Sequence, residues 1–125
     1  MNEAAARQRT ILVVDDDVDI RKTVASVLEE DDYHVVTAGN GREALTYLTG
    51  AGASRPDLIL LDMMMPIMDG VAFREQQQRH PELASIPILI FTAFSAPADT
   101  SWAAGHLSKP LRLDALLATI ARHLA

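Results

Sequence analysis

The sequence contains no cysteine. That excludes a disulfide framework, a thiolate zinc site and a cysteine nucleophile. Nothing in it approaches the ~18 consecutive apolar residues that span a bilayer. The opening Met1 to Thr10 is polar and alanine-rich, without the apolar stretch of a signal peptide. Basic residues are in deficit: 11 Lys and Arg stand against 17 Asp and Glu, a formal charge of −6. Sequence-independent grip on nucleic acid depends on Lys and Arg neutralising phosphates, so this balance argues against direct nucleic-acid binding. No internal repeat, low-complexity tract or interdomain linker is visible. What is present is a globular composition, 49% hydrophobic and 22% charged over 125 residues, the size of one domain. These features point to a soluble, cytoplasmic single domain.

Three continuous apolar runs stand out: Ile11 to Val14, Leu58 to Leu61 and Ile88 to Phe91. Continuity rather than alternation is the mark of strands covered on both faces in a parallel sheet. Tyr33 to Thr37 and the short His106 to Ser108 are weaker candidates. Helical spacing lies between them. Ile20, Val24, Val27 and Leu28 share one face, Asn40 can cap a helix carrying Ala44, Leu45 and Leu48, and Leu113, Leu116, Leu117, Ile120 and Leu124 form a last amphipathic stripe. Thr49 to Ser54 reads as a loop. Alternating strands and helices predict an α/β fold of (βα)5 type, a doubly wound parallel sheet whose functional site lies beyond the carboxyl ends of its strands.

The residues that follow the strands therefore carry the argument. Asp15, Asp16 and Asp17 follow Val14, Asp62 follows Leu61, Thr92 follows Phe91, and Lys109 with Pro110 follows Ser108. Carboxylates converging on one sheet edge raise one another's pKa unless a cation neutralises them. An oxygen-rich cluster with few protein ligands suits Mg²⁺, with Mn²⁺ as the substitute. A nucleophilic carboxylate, a metal, a lysine clamp and a hydroxyl donor together fit a phosphoryl group.

The segments Ile11-Leu12-Val13-Val14-Asp15-Asp16-Asp17, Asp62-Met63-Met64-Met65-Pro66-Ile67-Met68-Asp69-Gly70, Thr92-Ala93 and Lys109-Pro110 together resemble the receiver domains of two-component response regulators. The resemblance runs from about Thr10 to the C-terminus, leaving residues 1–9 as a polar extension. It implies a flavodoxin-like five-stranded sheet of order 2-1-3-4-5. It implies that Asp62 accepts a phosphoryl group from a sensor histidine kinase or a histidine phosphotransfer protein. Asp16 would ligate Mg²⁺ directly and Asp15 through water, with Asp62 and the Met64 backbone carbonyl completing the ligands. Lys109 would pair with phosphoryl oxygens, its bond to Pro110 being cis, and Thr92 would move toward the phosphoryl group. Met64 and Phe94, each two residues past a site residue, would tune hydrolysis, and an aromatic Phe94 implies slow self-dephosphorylation. Such a domain is not an enzyme beyond its own phosphorylation and dephosphorylation, and it works as a monomer or as a phosphorylation-dependent dimer.

The sequence departs from that pattern on one side. The stretch between Thr92 and Lys109 is a few residues short, so the helix expected over roughly 96–104 is brief. His106 occupies the position of the usual switch aromatic. An imidazole there can rotate inward and titrate near neutral pH, or stand exposed and leave the switch weak. A relay reading competes with the switch reading for this reason: the chain would then pass phosphoryl groups onward as a phosphotransfer intermediate. A third reading, an unphosphorylated docking domain, is disfavoured by the complete Asp, Thr and Lys set.

Bland readings apply elsewhere. Asp17 is a helix N-terminal residue. A calcium loop over Asp15, Asp17 and Asp19 fails because Ile20 and Ser26 occupy the required Gly and Glu positions. A haloacid-dehalogenase-like signature fails at Asp19. Met63 and Met68 read as core filler, Trp102 as packing, and His34, His80 and His123 fit no metal spacing.

Overall fold

The computed structural model describes residues 8–92 and 100–124. The elements run β1 (Thr10–Val14), α1 (Val18–Glu30), β2 (His34–Ala38), α2 (Gly41–Thr49) and β3 (Leu58–Leu61), then α3 (Gly70–Gln78), α4 (Pro81–Ala84), β4 (Ile88–Thr92), β5 (Gly105–Ser108) and α5 (Leu113–Leu124). All strand pairs are parallel and the order is β2-β1-β3-β4-β5, the doubly wound sheet expected. Among the described residues there are five helices.

The apolar runs divide by parity, because successive side chains leave opposite faces of a strand. Leu12, Val14, Ile59, Leu61, Ile88 and Ile90 pack with Ala44 of α2, Phe73 of α3 and Leu83 of α4. Ile11, Val13, Leu58, Leu60, Leu89 and Phe91 pack with Val24 and Leu28 of α1 and Leu116 and Ile120 of α5. Every one of these strand residues is buried, which is why the runs lack alternation.

Register levels the carboxyl ends of the strands. Val14 lies opposite Leu61, Leu61 opposite Ile90, and Thr92 opposite Ser108. Asp15, Asp62, Thr92 and Lys109 thus emerge within two residues of each other along a single edge. Three helices leave that edge under side-chain caps. Asp17 accepts from the N–H groups of Asp19 and Ile20, Asn40 from Glu43, and Asp69 from Ala72, each worth roughly 1 kcal/mol. Gly70 is needed where α3 starts: a Cβ there would collide with Met63 Sδ, and its N–H donates to the Met63 carbonyl.

Several expectations shift. β2 covers His34–Ala38 rather than 33–37 and, as an edge strand, is only partly buried. Helix α4 was not visible in the periodicity, being a single turn started by Pro81. Its anchor is Gln77, fully buried, whose amide donates to the carbonyls of Leu83 and Ile86. The helix expected over 96–104 does not include 100–104. That stretch is a turn, with Ala103 N–H bonded to Thr100 O and Ala104 N–H to Ile88 O, so the chain is already joining the sheet. Met63 is core and Met68 packs on its margin, while Leu113, the first residue of α5, is exposed. No helix among the described residues is long and apolar enough to cross a membrane.

Candidate functional site

Asp15 is the first residue past β1, fully buried and bonded on every side. Its N–H donates to Ala38 O, its Oδ1 accepts from Asp17 N–H at 2.8 Å, and its Oδ2 accepts from Lys109 Nζ at 2.8 Å. Asp62, the first residue past β3, is 3% exposed; its Oδ1 accepts from Met64 N–H at 3.1 Å and its Oδ2 from Lys109 Nζ at 3.2 Å. One ammonium therefore bridges two buried carboxylates. Lys109 reaches them from the end of β5, where its N–H donates to Thr92 O and its bond to Pro110 is cis. The Phe91 ring lies 5.1 Å from Nζ and offers the cation an aromatic face.

Electrostatics follow from this burial. Removal from water pushes the Asp15 carboxyl above its ordinary value, with the Lys109 and Asp17 bonds pulling the other way and the Asp62 charge adding to the rise. Burial alone would lower the Lys109 ammonium, but the bonds and charges of Asp15 and Asp62 outweigh it and leave it raised. Lys109 stays charged at neutral pH.

Asp16 is exposed, and its carboxylate comes within 4.8 Å of those of Asp15 and Asp62. The donor set fits a hard divalent cation. All of its atoms are carboxylate oxygens, which suit Mg²⁺. Three carboxylates face one ammonium, an excess of two negative charges that a divalent ion matches.

Thr92 ends β4 and is 7% exposed. Its hydroxyl has no hydrogen-bond partner, the one such buried side-chain atom among the described residues. A buried hydroxyl left unpaired costs about 1–3 kcal/mol, so this atom is one that a hydrogen-bonding group at the edge would stabilise. Met64 presents an exposed side chain beside the site. His106 is also exposed, with its ring Nε2 2.8 Å from Thr100 Oγ1 and therefore directed outward. Phe94 lies outside the described residues.

Two contributors escaped the sequence reading. Arg21, on α1, donates from Nη1 to the Asp15 carbonyl at 2.7 Å. Phe91, read only as strand core, supplies the ring beside Lys109. An arginine one turn into the helix after an acidic turn was a usable signal for the first, whereas the second depends on cross-strand register. Trp102 packs at the core margin, with the Arg74 guanidinium 4.8 Å from its ring.

Comparison with known proteins gives the family of the chain. A family model described as the response regulator receiver domain matches residues 11–121. The sporulation initiation phosphotransferase F of Bacillus subtilis is 32% identical over 119 residues, covering 91% of this chain and 92% of that protein. The response regulator MprA of Mycolicibacterium vanbaalenii is 36% identical over 113 residues, 86% of this chain but 47% of that protein. The chain spans less than half the length of several curated relatives it matches. Among solved structures, chemotaxis protein CheY4 of Vibrio cholerae superposes with a TM-score of 0.83 at 33% identity, covering 93% of this chain and 98% of that one.

Proposed function

The chain belongs to the response regulator receiver family of two-component signalling, and from that premise we propose that Asp62 is its phosphoryl acceptor. The observation carrying this is the buried Asp15–Lys109–Asp62 bridge beside a Thr92 hydroxyl that lacks a partner among the described residues. A carboxylate oxygen of Asp62 attacks the phosphorus of a phosphohistidine. The P–N bond breaks, its electron pair returns to the donor imidazole, and an acyl phosphate forms. Lys109 pairs with the non-bridging oxygens, and the Thr92 hydroxyl donates to one of them, gaining the partner it lacks. Asp15, Asp16, Asp62 and the Met64 carbonyl would hold Mg²⁺, which when bound neutralises the approaching phosphoryl charge.

The donor is a sensor histidine kinase or a histidine phosphotransfer protein. An apolar hollow of about 330 Å³ between α1 and the turn after β5, lined by Ile20, Val24, Pro110 and Leu111 and reaching Lys109, offers it a seat next to the acceptor. Phosphorylation adds roughly 1.5–2 negative charges and three acceptor oxygens, which changes the surface near β4 and β5. Incubation with acetyl phosphate and Mg²⁺ should add the mass of one phosphoryl group, and Asp62→Asn should abolish the gain. An unchanged parent mass would overturn the reading.

The likeness to a relative named a phosphotransferase, over nearly its full length, supports the relay as a second reading. Amide shifts on adding beryllofluoride separate the two. Changes extending through β5 favour a switch, and changes confined to the Asp62 pocket favour a relay.

A further inference from the structure

We propose that Arg21 is a positioning residue for Asp16, aiming its carboxylate through the carbonyl of Asp15. The inference rests on the reading of the acidic cluster as a Mg²⁺ site. Asp15 stands just past the paired part of β1 and is fully buried, so each of its polar atoms needs a partner. Its N–H and both carboxylate oxygens find one in Ala38, Asp17 and Lys109. Its carbonyl finds one, among the described residues, in the Arg21 guanidinium at 2.7 Å.

That carbonyl is the handle on the next residue. The peptide unit is planar, so the Asp15 oxygen and the N and Cα of Asp16 move as one rigid plate. Holding the oxygen restrains where the Asp16 Cα sits, the point from which its side chain leaves. The Asp16 carboxylate is exposed and has no hydrogen-bond partner of its own among the described residues. It nonetheless lies within 4.8 Å of the carboxylates of Asp15 and Asp62, a reach that starts from the position of its Cα.

The surroundings are shaped for the guanidinium. A Cβ on Gly39 would lie 3.3 Å from Arg21 Nη1, so the glycine leaves that path open. Gly39 N–H is itself tied to Glu43 Oε1 at 2.8 Å, which joins the end of β2 and the first turn of α2 to the same brace.

The sign of the effect separates positioning from charge. If Arg21 acted only as a nearby cation, removing it would tighten binding of a divalent ion. A positioning role weakens it. Mg²⁺ titrations of the full chain, followed by amide shifts, supply the test, with a metal-free denaturation curve for each variant. Arg21→Ala should weaken Mg²⁺ binding about tenfold, the usual cost of losing a group that orients a metal ligand. It should also move the Asp16 amide resonance before any metal is added. Arg21→Lys, which keeps a donor and the charge, should recover part of the affinity and is the comparison to use if the alanine variant unfolds. In an Asp16→Asn background the same Arg21→Ala change should matter by no more than about twofold. Equal or tighter binding by a folded Arg21 variant, or a full loss persisting without the Asp16 carboxylate, overturns the inference while leaving the metal site standing. A parent chain that binds no Mg²⁺ overturns both.

Discussion

The two ends of the site edge are built to opposite rules. At the β1–β3 end, Asp15 and Asp62 have all four carboxylate oxygens engaged, and Arg21 holds the Asp15 carbonyl. At the β4–β5 end, the Thr92 hydroxyl is buried without a partner among the described residues, and His106 faces outward on an exposed bond to Thr100. A satisfied buried network is stiff. An unsatisfied group is a cost waiting to be relieved. On the proposed function, the first arrangement would pre-position the phosphoryl acceptor, and the second would respond to its modification.

Breaking the first end should produce the largest effects. Lys109→Ala leaves two buried carboxylates without their shared cation, so metal-free unfolding free energy should fall by about 3 kcal/mol in urea denaturation. Phosphorylation by acetyl phosphate should slow on the order of 100-fold, the usual cost of one lost donor to a developing oxyanion. At the second end, Thr92→Val should have the opposite sign on stability. Replacing an unpartnered hydroxyl with a methyl should stabilise the unphosphorylated chain by about 1 kcal/mol and erase phosphorylation-dependent shifts in β5.

A pH profile sharpens the contrast further. Burial raises the Asp15 carboxyl, so in the window between its unfolded and folded values the folded chain binds more protons. Metal-free stability contributed by this group therefore falls as pH rises through that window and is level above it. Asp15→Asn should remove that slope, and saturating Mg²⁺ should reverse it by favouring the carboxylate. Smallest of all, His106→Ala should change stability by no more than about 0.5 kcal/mol, as befits an exposed side chain, while shifting the Thr100 amide.

How much of this was legible varies with the physical source of the signal. Continuous apolar runs identified β1, β3 and β4 because strands buried on both faces admit no polar position, and the acidic and basic residues behind them located the edge. Edge strand β2 was displaced by one residue because its partial exposure blurs the run. Helix α4 was missed because one turn carries no periodicity and its anchor, Gln77, lies outside it. The helix expected over 96–104 gave way at 100–104 because pairing with β4 begins at Ala104. The outward pose of His106 depends on Thr100, six residues away, a contact no spacing rule contains.

By itself, the amino-acid sequence determined the sheet and the identity of the residues along its functional edge. Strand burial and chain order are local and cumulative properties, written in hydrophobicity and spacing. Only the tertiary structure decided that one lysine bridges two aspartates, that Arg21 closes the Asp15 carbonyl, and that the Thr92 hydroxyl has no partner among the described residues. Those outcomes turn on register and on fractions of an ångström between side chains 6 to 94 residues apart, where hydrogen bonds form or fail.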